Sequence, residues 1–201
     1  MDALVRTYRR LAILVLLLIL AVPAAAQDLP DKIRGYKVHR AKVSVTRARS
    51  NDSVSGTSDA GVTVGEPAVV HVSPLGITFE LTAEIAGIEQ STRIDFLSFH
   101  DLRVNGIKVE AEEFRESFEI RRGHKATLPK PARFFVSSAQ AAKAVWKEFT
   151  GSDEDWEVTG RMFVFGRFRK FGFEFRRVVP VDIRLSIKNP LRDADPANAG
   201  S

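Results

Sequence analysis

"GRMFVFGRFRKFGFEFRRV" (Gly160–Val178) sets six phenylalanines and six basic residues into nineteen positions, with one acid, Glu174. Apolar and polar residues alternate, which is the period of a β-strand, and the stretch is long enough for two. A turn near its middle makes it a hairpin, and the length of that turn decides which rings share a face. A two-residue loop at Arg169-Lys170 sets Phe168 opposite Phe171 and Val164 opposite Phe175. Met162, Val164, Phe168, Phe171, Phe173 and Phe175 then share one face, and Phe163 and Phe165 stand on the other beside Glu174 and Arg176. A three-residue loop at Phe168-Arg169-Lys170 puts Phe163, Phe165, Phe171, Phe173 and Phe175 together instead. The two differ because a one-residue slip moves every side chain across the sheet. In both, one face is an aromatic wall, and burying one Phe stabilises by about 1.5–3 kcal/mol. The stretch reads as a core hairpin. Outward rings at Phe163 and Phe165, near Arg176, form the candidate binding surface through cation–π contacts.

Aromatics interleaved with Arg and Lys would also suit stacked bases. "GRMFVFGRF" partly echoes the RNA-recognition signature, but the leading pair is Gly-Arg rather than Arg-Gly. That module needs two helices, and only one is legible here. The whole-chain charge of +5 and pI near 9.7 overstate the basic character, as the start of the chain shows. "MDALVRTYRR" is a basic opening, Leu11–Val22 is a continuous apolar run of twelve, and Pro23 and "AAAQ" follow. This is the order of a secretory signal peptide, with Ala24 and Ala26 at the cleavage site before Gln27. Twelve apolar residues are short for a bilayer core, which needs about 20. The expectation is residues 1–26 as leader, a periplasmic or secreted product, and no stable membrane span after cleavage. The alternative is a chain anchored by an uncleaved leader. Losing Arg6, Arg9, Arg10 and Asp2 leaves 27 basic and 24 acidic residues, a net of +3. No nucleic-acid partner is expected. The chain has no cysteine, which excludes disulfides, thiol chemistry and a lipid-modified bacterial N-terminus.

Strand patterns fill most of the remainder. Tyr36–Arg47 alternates Ala41, Val43 and Val45 with Lys42, Ser44 and Thr46. Residues 48–61 are a Ser/Gly/Asp loop, and Val62–Val72 holds one or two strands broken near Glu66-Pro67. "ITFELTAEIAG" puts Ile77, Phe79, Leu81, Ala83 and Ile85 on one face, with Thr78, Glu80, Thr82 and Glu84 on the other. Asn105-Gly106 between apolar flanks predicts a hairpin turn. "SFEI" (Ser117–Ile120) is a short strand, and Pro129 and Pro131 hold "LPKPARFFV" extended. The period then changes. Ala139, Ala142, Val145, Trp146 and Phe149 recur at helical spacing, predicting a helix over 137–149 capped at Ser137 or Ser138. Val181, Ile183, Leu185 and Ile187 close the pattern. Seven or eight strands with one inserted helix predict an all-β, antiparallel sandwich. Residues 27–68 form an N-terminal strand and mobile loop joined to it, 69–190 the sandwich, and 191–201 a flexible tail.

No catalytic constellation emerges. His39, His71, His100 and His124 lack zinc spacing. His100 and Asp101 are adjacent, so on a strand they point to opposite faces. No nucleophile elbow, metalloprotease helix or phosphate loop is present. No enzymatic activity, metal or cofactor is expected.

"ITFELTAEIAG", "RIDFLSFHDLRVNGIKVEAEEF", "SFEIRRG", "LPKPARFFV", the helix, "WEVTGRMFVFG" and "FGFEFRRVVPVDI" together resemble the late embryogenesis abundant group 2 family. Its module is the water-stress and hypersensitive-response (WHy) domain. The likeness runs from about Val69 to Ile187 and centres on Val104-Asn105-Gly106 and on Val158, Gly160, Arg161 and Phe163. Ala86-Gly87-Ile88 stands where the family usually has Asn-Pro. The resemblance implies an immunoglobulin or fibronectin-like sandwich with a non-enzymatic, protective role in desiccation or related stress. Its partners would be envelope proteins. The Phe-rich hairpin supports an alternative, a carrier of an apolar or aromatic small molecule or a module that binds partners along a strand edge. A sandwich-fold hydrolase is a more distant reading.

Overall fold

The computed structural model describes residues 29–48, 60–140, 155–170 and 172–190. The chain divides into two compact units, Met1–Pro30 and Asp31–Ser201. The expected leader, most of the loop over 48–61 and the tail over 191–201 lie outside the described residues. All the described strands belong to the second unit.

That unit is nearly all β. The strands are β1 (Lys32–Ile33), β2 (Tyr36–Val38), β3 (Ser44–Arg47), β4 (Gly61–Val64), β5 (Ala68–Ser73), β6 (Gly76–Leu81) and β7 (Ala83–Ala86). They continue with β8 (Thr92–Val104), β9 (Ile107–Ala111), β10 (Phe118–Ile120), β11 (Ala126–Thr127), β12 (Ala132–Ser137), β13 (Trp156–Lys170) and β14 (Phe173–Ile187). A ten-stranded sheet runs β1-β2-β14-β13-β8-β9-β12-β6-β5, with β10 also paired to β8, and a four-stranded sheet runs β11-β7-β4-β3. The described residues form fourteen strands where seven or eight are expected. Two of the expected strands are each cut in two by a change of sheet. The segment expected as one strand over Tyr36–Arg47 breaks at residues 39–43, so β2 pairs with β14 and β3 with β4, both parallel. "ITFELTAEIAG" breaks at Thr82, with β6 in the large sheet and β7 in the small one. Its expected parity survives the break: Ile77, Phe79, Ala83 and Ile85 are buried and Leu81 half-buried.

The hairpin of β13 and β14 turns elsewhere than expected. Lys170 pairs with Phe173, so the turn lies beyond Lys170, not at Arg169-Lys170 and not at Phe168–Lys170. Two-residue hairpin loops require positive φ. Gly172 supplies it at +80°, with open space where a Cβ would stand, whereas Arg169-Lys170 contains no glycine. The parity matches the two-residue alternative. Met162, Val164 and Phe168 share a face with Phe175, Val179 and Val181, and Phe163 and Phe165 occupy the other. The second hairpin forms at Asn105-Gly106 as expected, with φ of +48° and +77° and Val104 opposite Ile107.

β8 is regular in neither half. Phe165 pairs with Phe96 but Gly166 with Ile94, which leaves Asp95 as an extra residue. Thr159 pairs with Arg103 but Arg161 with His100, and the extra residue there is Asp101, at φ +50°. Each bulge reverses the parity. The inward residues of β8 are therefore Thr92 and Ile94, then Leu97 and Phe99, then Leu102 and Val104. Between the bulges Phe96, Ser98 and His100 point away with Phe163 and Phe165.

The core lies between the sheets. Val62, Val64, Ala83 and Ile85 of the small sheet meet Ile94, Leu97, Met162, Val179 and Val181 of the large one. The large sheet also curls: Ile77, Phe79 and Val136 on its β12-β6 arm pack on Leu102, Val104, Trp156 and Ile187. The Phe79 ring meets Trp156 edge-on at 5.4 Å. The result is a two-layer, sandwich-like arrangement.

The helix expected over 137–149 does not begin at Ser137. That residue ends β12, opposite Gly76, and Ser138–Gln140 form one 3-10 turn. Ser138 opens that turn. Its hydroxyl donates to the Pro74 carbonyl at 2.7 Å, which ties the end of β12 to the β5–β6 turn. Residues 141–149 lie outside the described residues.

Candidate functional site

Phe163 and Phe165 stand on the face that the sequence suggested could bind a partner, but that face is covered. Phe165 is 1% exposed and Phe163 6%. Phe165 stacks on Phe96 at 4.2 Å, and Tyr36 of β2 meets both rings edge-on, at 5.2 Å and 5.9 Å. Phe163 meets His100 edge-on at 5.1 Å. A small second core thus forms under β1 and β2. Arg176 remains exposed, paired across the hairpin with Arg167.

Polar groups fasten this cover. The Tyr36 hydroxyl donates to Asp95 Oδ2 at 2.8 Å, and Arg167 Nε donates to the same oxygen at 3.1 Å. The bulge that exempts Asp95 from the β13 register is what leaves it beside both. Arg34 lies over the Phe96 and Phe165 rings at 5.6 Å and 5.9 Å and donates to Glu113 Oε2 at 2.6 Å. Arg34 holds Glu113 below the usual carboxylate range, first through that hydrogen bond. Desolvation raises the Tyr36 pKa above its ordinary value of 10.0, and the hydrogen bond to Asp95 and its charge add to the rise. Folding thus favours the protonated phenol. Its contribution is fully present below pH 10 and is lost as pH rises through the higher folded pKa. The difference in 295 nm absorbance between the wild type and Tyr36→Phe isolates this phenol. It should titrate above 10, and Asp95→Asn should bring it down. A midpoint at 10 or below in the wild type would refute the arrangement.

The inner face of the hairpin leads to a different feature. Val164, Phe168, Arg177, Val179 and Val181 line a mouth of about 370 Å³ at one end of the two layers. The opposite wall is Val62 and Ile85 of the small sheet, and Ile94 and Ile120 form its side. Its rim is polar: His39 and Lys42 come from the β2–β3 crossover, Glu89 and Gln90 from the β7–β8 connection. Desolvation and the neighbouring Arg177 charge lower the His39 pKa. Further in lies a second cavity of about 120 Å³, with walls that include Val64, Leu97, Phe99, Met162, Ile183 and Leu185. Val62 and Ile85 line both spaces. Val62 and Ile85 thus stand between the two spaces, and the outer one, with its polar rim and apolar walls, is the slot. At about 370 Å³ it falls in the range of small-molecule sites, roughly 300–1,000 Å³.

The slot has little sequence signal of its own. Val62, Ile85 and Val179 look like any core residue. The one legible hint is Arg177, a charge that shares the strand face of Phe173 and Phe175 in either expected register of the hairpin. Elsewhere, His100 and Asp101 do not converge: His100 packs on Phe163 and Asp101 forms a bulge. Among the described residues no group of three His, Cys, Asp or Glu is placed to hold a metal ion. No described helix is long and apolar enough to cross a membrane. β5 is an outer strand of the large sheet, and its Val70 and Val72 face solvent.

Fold and slot together define a class: an all-β protein with an apolar space between its sheets. No family model matches the chain, and no curated protein matches it. It is similar to a crystal structure of a protein from Archaeoglobus fulgidus at 12% identity and a TM-score of 0.34. That likeness covers 63% of this chain and 95% of the other. It is also similar to the solution structure of a protein described as a candidate late embryogenesis abundant (LEA) protein, at 11% identity and a TM-score of 0.30. There the coverage is 64% of this chain and 71% of the other. Likenesses this distant carry no inference about function.

Proposed function

We propose that this chain is a non-catalytic binding protein that carries an apolar small molecule in the slot between its sheets. The observation that supports the reading is the slot itself, an opening of about 370 Å³ with a polar rim and apolar walls that include Val62, Ile85, Val164, Val179 and Val181. Interiors of this kind are normally filled, with few voids larger than a water molecule, so an interior space that opens to solvent suits a guest. Binding would draw on burial of the guest's apolar surface. Val62→Phe tests this, because the larger ring takes up part of the slot. Titrated with the neutral apolar fluorophore N-phenyl-1-naphthylamine, the variant should bind at least about tenfold more weakly than the wild type. Its thermal midpoint should hold or rise, since the ring occupies existing space. Undiminished binding in a folded Val62→Phe protein would defeat the proposal.

A stress-protective role, exerted on envelope proteins, stands beside it. The two fragments that carry the resemblance meet in the fold: Asn105 Oδ1 accepts from the Glu157 N–H at 2.8 Å, and the Asn105 N–H donates to the Glu157 carbonyl at 2.9 Å. The immunoglobulin or fibronectin-like description, the helix over the remainder of 137–149 and the periplasmic or secreted location belong to the same proposal. A labile reporter enzyme dried with this protein should keep more activity than one dried with an equal mass of serum albumin. Equal losses would remove the protective role.

A further inference from the structure

We infer that the guest is a single-chain amphiphile with an anionic head, its chain inward and its head held at the rim by Arg177 and Lys42. The inference rests on the reading of the slot as a ligand site. Arg177 shares its face of β14 with Val179 and Val181, both core residues, and its partner across the hairpin is Gly166. A charged side chain therefore projects from the inward face at the point where the core becomes the mouth. Gly166 is there because the wall is close: a Cβ would lie 2.9 Å from the Arg93 carbonyl oxygen, 3.3 Å from Ile94 Cδ1 and 3.4 Å from Thr92 Cγ2. Lys42 flanks Val43, which packs on the same core, and so sits at the edge of the apolar surface.

Among the described residues neither cation has an ion-pair partner. Arg177 has a ring neighbour instead, its guanidinium 5.8 Å from the centre of Phe175. The other polar groups at the mouth are His39, Gln90, Glu89 and Thr92. Burial and Arg177 favour the neutral form of His39. The rim thus carries two cations against one carboxylate, Glu89, with Gln90 and Thr92 uncharged. Arginine presents paired donors that match a carboxylate or phosphate edge. Below the rim the walls are Ile85, Ile94, Val164, Val179 and Val181, around a space of about 370 Å³. Such a space accepts a hydrocarbon chain against its apolar walls.

The full chain is titrated with dodecanoate, dodecanol and dodecylammonium, all below their micelle concentrations. Dodecanoate should bind about tenfold more tightly than dodecanol, and dodecylammonium most weakly. Arg177→Glu with Lys42→Glu should abolish the dodecanoate advantage and leave dodecanol binding unchanged, which also reports that the variant is folded. Arg177→Gln with Lys42→Gln should reduce the same advantage with less disturbance. Equal affinities for the acid and the alcohol, tightest binding of the cation, or an advantage that survives both double variants would overturn the anionic head and leave the apolar slot standing. If none of the three binds saturably, the slot reading fails with it.

Discussion

Gly160→Ala should destabilise the protein by about 2–5 kcal/mol, the sum of backbone strain and overpacking. Gly160 sits in the second bulge of the β8–β13 pairing, at φ +153°. A Cβ there would lie 2.6 Å from Leu102 Cδ2, 2.9 Å from Leu102 Cα and 3.2 Å from the Asp101 carbonyl oxygen. Rotation of the Leu102 side chain could move its Cδ2 aside, but its backbone could not yield without moving the strand. Leu102 is buried among Val104, Trp156 and Ile187, so it has nowhere to retreat. Asp101 is already held at φ +50° by the bulge. Separating the strands to admit a methyl group would break the register that aims Leu102 and Val104 inward. Gly106→Ala is the control. It too has positive φ, +77°, but nothing lies within 4 Å of its would-be Cβ. It should cost only about 1–2 kcal/mol, the strain of placing an L-residue in the left-handed region. Urea unfolding measures both, and the midpoint should fall with the slope unchanged. Equal costs at the two positions would show that close approach at Gly160 is not what selects glycine there.

The glycines also mark where the sequence is legible and where it is not. Asn105-Gly106 is readable because a two-residue turn is a local event, satisfied by its own two residues. Gly172 offers a similar signal, but Phe171 before it looks like another ring of the aromatic wall, which draws the expected turn two positions early. The parity of Phe163 and Phe165 is nevertheless available, since one of the two expected loops shares it. What no local pattern carries is the cover. Tyr36 reaches Asp95 from 59 residues away, and only the folded chain brings β2 across Phe96 and Phe165. The bulges at Asp95 and Asp101 are hidden for a related reason. They come from the pairing of β8 with β13, not from the β8 sequence alone. The strand that changes sheet at Thr82 keeps its apolar alternation across the break, so period alone does not reveal that change. The slot escapes detection because its walls are core residues that happen not to be filled. A sequence specifies which faces are apolar more directly than how closely they meet.

Phe165→Ala tests the covered face, with an expected loss of about 3–5 kcal/mol, the usual cost of deleting a buried phenyl ring. The ring lies between Phe96 and Tyr36, and its partner across the hairpin, Val178, is fully buried. Removing it leaves Phe96 without a stacking partner and Tyr36 without the ring beneath it. The loss should therefore appear first in the cover. The Val38 N–H donates to the Asp31 carbonyl at 2.8 Å and the His39 N–H to the Val178 carbonyl at 2.9 Å. In Phe165→Ala these two amides should exchange with solvent faster than amides of β6 and β12, which belong to the other arm of the large sheet. The Tyr36 hydroxyl, no longer held against Asp95, should titrate closer to its ordinary value. Phe175→Ala is the comparison from the same hairpin. That ring is 42% exposed, and its loss should cost under about 1 kcal/mol, as surface changes generally do. If the two variants unfold at the same urea concentration, Phe165 is not part of a core. The outward face of the hairpin would then be open to a partner after all, and β1 and β2 would be a loosely held strap across it rather than a wall.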